Sequence, residues 1–359
     1  MNPENKVENL LKVAIDASGL EKDHRGMGFF LREFLFHLSS YPQKSFKFYL
    51  TTPTSETAEN FGFEIKKWNE LDPSFLVWFP FNHPTFPFSG NYVTTIHDLA
   101  AFAFPEGEKK LQEKIKIGAE HSKAIAADSQ FTLSEIKKFL NLQESKISVI
   151  YPGFNPERKE NSLNSLKFSS PYILTVGSAE YRKNFQTLIH AFKKLKEQGF
   201  AHKLVIIGDL PPWKKKIGPV VIEEKNPILK LVQRLNLGSE VFLKGYVPKK
   251  VLWEWYGNAS LFVFPSLYEG FGFPVLEAYS CGISTALSQE ASLPEVGGEG
   301  AFYFDPSSPD KMSEIMKEAL TNKAEILRKK MLQKNSLDKF RFNFCIENYL
   351  NLFMNFKKQ

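Results

Sequence analysis

One pattern governs what this chain can become. Short apolar segments alternate with longer amphipathic ones in a rhythm that runs its course, stops in a polar tract, and starts again. In the first course KVAID (12–16), FKFYLTT (46–52), FLVWFPF (75–81), YVTTIHD (92–98) and AIAADS (124–129) have the character of buried strands. FFLREFLFHLSS (29–40), EKKLQEKIKIGAEHSK (108–123) and TLSEIKKFLN (132–141) have helical spacing. Strands separated by helices of this length imply crossover connections and a parallel sheet.

A last strand of that course, 146–151, runs into a Pro/Gly turn and a Ser/Asn/Lys/Glu tract at 157–170, a linker composition. The alternation then resumes with YILTVG (172–177), a helix at 184–197, KLVIIG (203–208) and a helix at 227–236. VFLKGY (241–246), a helix at 249–258, LFVFPS (261–266) and a helix holding Glu277 complete it. At 359 residues the chain exceeds what one core ordinarily serves. The expected fold is therefore α/β: two Rossmann-like, doubly wound domains, 1–160 and 161–336, facing across a cleft. LDKFRFNFCIENYLNLFMNF (337–356) is helical and apolar on more than one face, so it must be covered. Residues 337–359 are expected to cross back onto the first domain. Ligands of such sheets gather beyond the carboxyl ends of the strands, which points to the cleft.

Composition excludes several classes. Cys281 and Cys345 are the only cysteines, too few for a disulfide scaffold or a Cys-based zinc site, and they fit a reducing cytosol. The N-terminus lacks an apolar run of signal length, and no segment approaches the ~20 apolar residues of a membrane span. A cytoplasmic protein is expected. The formal charge of +6 admits phosphates, nucleic acid or anionic lipid as partners. Dispersed cations and the lack of a recognisable module argue against nucleic acid. WKKK (213–216) and KK (249–250) could touch an anionic membrane, on the inner face of the cytoplasmic membrane, or serve as solvated faces.

Four stretches carry chemistry. In SLYEGFGFPVLEAYSCG (266–282), just past an apolar strand, Glu269 and Glu277 stand eight positions apart. Gly270 and Gly272 let backbone approach a ligand, and the N–H groups of the following helix start attract an anion. Glu269 could reach a polyhydroxylated group, and Glu277 could accept from a ribose diol. The same acids could instead merely complement the helix dipole. In VGSAEYRKN (176–184) a glycine turn at Gly177 precedes Arg182 and Lys183, with Asn184 as the expected N-cap. Two cations beside a helix start suit a diphosphate, each contributing roughly 4 kcal/mol per phosphate charge at an effective dielectric near 20 before desolvation. A solvated surface pair is the alternative. RGMGFF (25–30) lacks the third glycine of the dinucleotide fingerprint, yet Gly26 and Gly28 open a helix at a strand end. In TIHDLA (95–100), His97 could bond a substrate hydroxyl or move a proton, or the stretch could be a turn capped by Asp98.

These blocks together resemble the retaining glycosyltransferases of the GT-B fold, family 4, especially bacterial mannosyltransferase-like members that build surface polysaccharides. The resemblance covers nearly the whole chain, adding ADSQFTLSEIKKFL, SLPEVGGEGAFYFDP and KFRFNFCIENYLNLF to the stretches above. It implies that Glu269 contacts the transferred sugar, Glu277 the nucleotide ribose, and the backbone around Phe271 and Gly272 the sugar or phosphates. Arg182 and Lys183 match the family's diphosphate-binding cations, His97 a residue approaching the donor sugar, and Gly26/Gly28 the glycine loop near donor and acceptor. One departure stands out: Ser178 occupies a position where many relatives carry arginine. The implied donor is a nucleotide sugar, GDP-mannose favoured over UDP-sugars, and the implied acceptor a saccharide or lipid-linked saccharide. No Asp-x-Asp signature occurs, so no metal or other cofactor is expected. For the acceptor side, WFPFNHPTFPFSG (78–90) offers Asn82 and His83, and TIHDLA offers Asp98 as a third candidate. A sugar phosphorylase, an epimerase or a catalytically silent sugar-nucleotide binder remain the alternatives on this fold.

Overall fold

The computed structural model describes residues 10–20, 26–42, 44–51, 61–104, 108–156, 168–209, 213–217, 220–224 and 227–356. The chain divides into two compact units, Met1–Phe154 with Phe340–Gln359, and Asn155–Lys339. Most of the tract read as a linker, 157–167, lies outside the described residues.

The first unit is built from β1 (Leu11–Asp16), α1 (Gly26–Ser39), β2 (Phe46–Thr51), β3 (Glu64–Ile65), β4 (Leu76–Phe79), β5 (Tyr92–Ile96), α2 (Ala100–Ala103), α3 (Lys109–His121), β6 (Ala124–Ala127), α4 (Gln130–Leu140) and β7 (Ile147–Val149). Its seven strands run in the order β3-β2-β1-β4-β5-β6-β7, every pair parallel. Central strands covered on both faces read as unbroken apolar runs, and Val13, Ala14 and Ile15 of β1 are accordingly sealed. α1 turns Phe30, Leu31, Phe34, Leu35 and Leu38 inward, one stripe of a 3.6-residue period. α4 starts where the Ser129 side chain accepts from the Thr132 N–H.

The second unit comprises β8 (Tyr172–Val176), α5 (Phe185–Glu197), β9 (Lys203–Ile207), β10 (Trp213–Ile217), β11 (Val220–Glu224), α6 (Pro227–Arg234), β12 (Val241–Leu243), α7 (Lys249–Asn258), β13 (Leu261–Phe264), α8 (Phe273–Ser280), β14 (Ser284–Ser288), α9 (Leu293–Gly297), β15 (Phe302–Phe304), α10 (Pro309–Thr321) and α11 (Lys323–Leu337). Its parallel sheet has the order β12-β9-β8-β13-β14-β15, and β10 and β11 form a separate antiparallel hairpin. The sequence reading expected neither that hairpin nor β14 and β15. β14 hides from an apolar-run search because Ser284, Thr285 and Ser288 are buried with it. The Ser284 hydroxyl donates to the Ala319 carbonyl at 2.7 Å and that of Thr285 to the Ile283 carbonyl at 3.1 Å.

The chain then returns to the first unit. Residues 337–356 are not one helix: Leu337 closes α11, Asp338–Phe340 makes a 3-10 turn, and α12 spans Phe342–Met354. α12 enters the first unit's aromatic core, with Tyr349 4.5 Å from Trp78 and 5.3 Å from Phe34 between ring centroids. Such pairs contribute about 0.5–1.5 kcal/mol each beyond their buried area. Thr95 Oγ1 accepts from Trp78 Nε1 at 2.9 Å and lies 2.9 Å from the Tyr349 hydroxyl, so β4, β5 and α12 share one polar contact inside the core. Among the described residues no helix is long and apolar enough to cross a membrane.

Candidate active site

In the second sheet the chain winds from β8 outward through β9 to β12, then jumps back to β13 and winds the other way. The point of reversal lies between β8 and β13, and in open α/β sheets that is where a crevice forms at the carboxyl ends of the strands. The loops leaving these two strands are stitched together. The Leu267 N–H donates to the Arg182 carbonyl at 2.7 Å, and the Asn184 side-chain amide donates to the carbonyls of Pro265 and Pro306 at 3.1 and 2.8 Å. Asn184 therefore does not cap as expected. It holds the position before α5 with φ 56° and makes no side-chain bond to the helix backbone.

Lys183 Nζ meets Glu269 Oε1 at 2.5 Å, and Arg182 Nη1 approaches Glu269 Oε2 at 3.4 Å. Lys183 and Glu269 are both buried although 86 positions separate them in sequence. Arg182 also binds Glu180, Nε to Oε2 at 2.7 Å, and the other Glu180 oxygen accepts from the Ser178 hydroxyl at 2.5 Å. Burial works against the Glu180 charge, but the Ser178 hydroxyl and Arg182 outweigh it and hold its pKa below the ordinary carboxylate value. The sequence offers Arg182 and Lys183 as a diphosphate-binding pair or a solvated surface pair, with no partner named for either. In the structure both are already matched by acids, and Ser178 helps to position one of them.

Glu269 is set by backbone geometry. The Ser292 hydroxyl, fully buried, lies 2.9 Å from the Glu269 carbonyl and 2.7 Å from that of Phe271. Gly272 follows with φ 110°, where a Cβ would also sit 3.0 Å from Leu293 Cδ2. Gly270 and Phe271 are buried within this turn, and α8 begins directly after it with a proline in its first turn. Ser292 escaped the sequence reading, though it opens the SLPEV block. Behind the cations, a Cβ on Gly177 would meet the Lys183 stem at 3.4 Å.

Glu277 belongs to a different group. Its Oε1 pairs with Lys249 and its Oε2 accepts from the Tyr256 hydroxyl at 2.9 Å. Lys249, considered above as a membrane contact or a solvated face, pairs with Glu277 while remaining partly exposed, and Lys250 is exposed. β10 carries the WKKK cluster, whose side chains lie outside what the structure describes.

In the first unit, Asn82 and His97 meet: Asn82 Oδ1 accepts from the His97 N–H at 2.7 Å. The His97 ring is committed on both nitrogens, Nδ1 to Asp128 Oδ2 at 2.7 Å and Nε2 to the Pro80 carbonyl at 3.0 Å. In this arrangement both ring nitrogens already have protein partners. Burial disfavours the imidazolium, yet the Asp128 carboxylate and the Pro80 carbonyl outweigh it and raise the His97 pKa. Both neighbours are acceptors, which only the doubly protonated ring satisfies. A raised folded-state pKa stabilises fully below the unfolded value, about 6.5, and is lost as pH rises through the folded value. Wild type should accordingly lose stability relative to His97→Gln as pH rises above about 6.5 in chemical denaturation. A pH-independent difference would remove the imidazolium from the account.

Asp98 Oδ1 accepts from the Ala100 N–H at 3.0 Å, the turn-capping alternative, and His83 Nδ1 faces the Pro84 carbonyl at 2.8 Å. Gly26 opens α1 with φ 48° and Gly28 is buried beneath it. The reading passed over Asp16, the lone acid closing an apolar strand. It is fully buried, accepting from the Thr85 hydroxyl at 2.5 Å and the Ser18 N–H at 3.0 Å. Burial raises its pKa against the pull of these bonds. Among the described residues no group of three or more His, Cys, Asp or Glu is placed to hold a metal ion.

A family model described as "Glycosyl transferases group 1" matches residues 157–337, half of the chain. The chain is 31% identical over 234 residues to the O-antigen chain mannosyltransferase B of Escherichia coli, a match covering 62% of this chain and 59% of that protein. Its fold superposes on sucrose-phosphate synthase from Thermosynechococcus elongatus with a TM-score of 0.73 at 15% identity, covering 97% of this chain and 100% of that one. The Anabaena protein HepE, in complex with UDP and glucose, gives a TM-score of 0.71 at 14% identity, covering 96% and 99%. These solved structures are GT-B glycosyltransferases in fold, each built from the Rossmann-like units described above.

Proposed function

Because the chain belongs to the group 1 glycosyl transferases, we propose that it is a retaining glycosyltransferase moving mannose from GDP-mannose to a saccharide or lipid-linked saccharide acceptor in surface-polysaccharide synthesis. The observation that carries this reading is the Lys183–Glu269–Arg182 group at the reversal point of the second sheet. As the bond from sugar to diphosphate breaks, negative charge grows on the leaving phosphate. Fixed cations lower that barrier because they need no reorganisation at the moment of reaction. Lys183 and Arg182 take this role, Glu269 turns its carboxylate to the sugar, and the backbone at Gly270–Gly272 lies under the phosphates. Glu277 receives the ribose. Mannose is favoured by the name of the E. coli relative, a nucleotide donor by the UDP bound to HepE, and GDP as the base by the resemblance to the mannosyltransferase-like family.

The reading places the reaction on the cytoplasmic side, with peripheral contact at an anionic membrane when the acceptor is lipid-linked, and it needs no metal because side-chain cations do the charge work. Its test is a thermal-shift series in the presence of a chelator. At 100 times the dissociation constant a ligand stabilises by ~2.7 kcal/mol, about 5–10 °C for a unit of this size. GDP and GDP-mannose should give that shift, UDP and UDP-glucose a smaller one, and Glu277→Ala should abolish most of it. Equal shifts for both bases would refute the choice of donor, and no shift for any nucleotide would refute the site.

A further inference from the structure

Glu277 is reached by one stripe of a neighbouring helix. Lys249, Trp253 and Tyr256 recur at i, i+4 and i+7 on α7, the spacing that aligns side chains along one helix face. Tyr256 is fully buried and donates to Glu277 Oε2 at 2.9 Å, its ring packed 5.5 Å from Phe262. Lys249 covers Oε1 from a far more exposed position, its side chain 41% accessible, and its ammonium also lies 5.1 Å from the centre of the Trp253 ring. One carboxylate oxygen is thus held by a group that cannot leave, the other by a group that can. Burial first, and the Glu277 charge second, hold the Tyr256 phenol pKa well above its ordinary value, so the hydroxyl keeps its proton.

We propose that Tyr256 is the positioning residue for Glu277: its hydroxyl fixes Oε2, so that Oε1, covered by Lys249 in the free protein, is the oxygen presented to a ribose diol. This rests on the ribose role proposed for Glu277. The diol displaces the Lys249 ammonium, which keeps the Trp253 ring face as a resting place, a cation–π contact. Without the phenol, the carboxylate turns toward the lysine and the diol meets a misplaced acceptor.

The test is calorimetric titration of GDP and UDP, each against its 2′,3′-dideoxy form. Wild type should favour the hydroxylated nucleotide by roughly 10-fold or more, the worth of a hydrogen bond to a charged group. In Tyr256→Phe that ratio should shrink to within about 3-fold, through weaker binding of the hydroxylated form alone, with the dideoxy affinity unchanged. A loss of both affinities together would mean a merely structural role and overturn the proposal, as would retention of the full ratio. Lys249→Met should keep the ratio; its disappearance there would make the lysine, not the carboxylate, the discriminating group. If wild type shows no ratio, the ribose role of Glu277 itself fails, a result distinct from any change in Tyr256→Phe.

Discussion

Lys183→Ala should cut turnover by about 100-fold or more at saturating donor. Each ~1.4 kcal/mol of lost transition-state stabilisation is a factor of ten, and a fixed cation beside a leaving phosphate supplies at least two such steps. The geometry makes the residue hard to replace. Its ammonium is 2.5 Å from Glu269 and 5.4 Å from the centre of the Phe264 ring, and its stem passes against Gly177. Arg182 cannot substitute fully, because Glu180 holds it at 2.7 Å. Removing Lys183 also leaves Glu269 with a single distant partner, a cost of about 1–3 kcal/mol in stability. Rates must therefore be normalised to the folded fraction measured by circular dichroism. Near wild-type kcat in folded protein would sink the assignment.

Gly208→Ala should weaken the second unit by about 3–4 kcal/mol, lowering its melting temperature by roughly 10 °C. Gly208 follows β9 with φ 147°, and a Cβ there would lie 2.0 Å from the Gly177 carbonyl oxygen, closer than any real contact. Neither backbone can retreat cheaply. The Gly177 N–H donates to the Ile207 carbonyl and the Gly208 N–H to the Gly245 carbonyl, both at 2.9 Å. Because Gly177 backs Lys183, the same substitution should disturb donor binding. Differential scanning calorimetry decides it, and a loss below about 1 kcal/mol would show that the strand ends can part without cost.

The sequence spoke clearly where one physical signal dominated. Apolar runs marked β1, β9 and β13, mixed apolar and threonine runs marked β5 and β8, and 249–258 coincides with α7, because burial on both sheet faces and a one-sided helix stripe each leave a local trace. It was silent where burial is polar or partnership distant. β14 is lined with serine and threonine whose hydroxyls find nearby carbonyls. The carboxylates and cations of the site stand out as residue types, but nothing local foretells that Glu269 joins Lys183 while Glu277 joins Lys249 and Tyr256. Those choices arise from how β8 and β13 lie side by side and how α7 meets α8. His97 shows the same limit: its place at a strand end is visible in the sequence, but its partners Asp128 and Pro80 are not.

Lys183 and Arg182, facing Glu269 and Glu180, make a zwitterion rather than an ion exchanger. An ion exchanger takes up whatever anion drifts past. A self-neutralised quartet offers a stray oxyanion little net attraction, because each cation already has its acid.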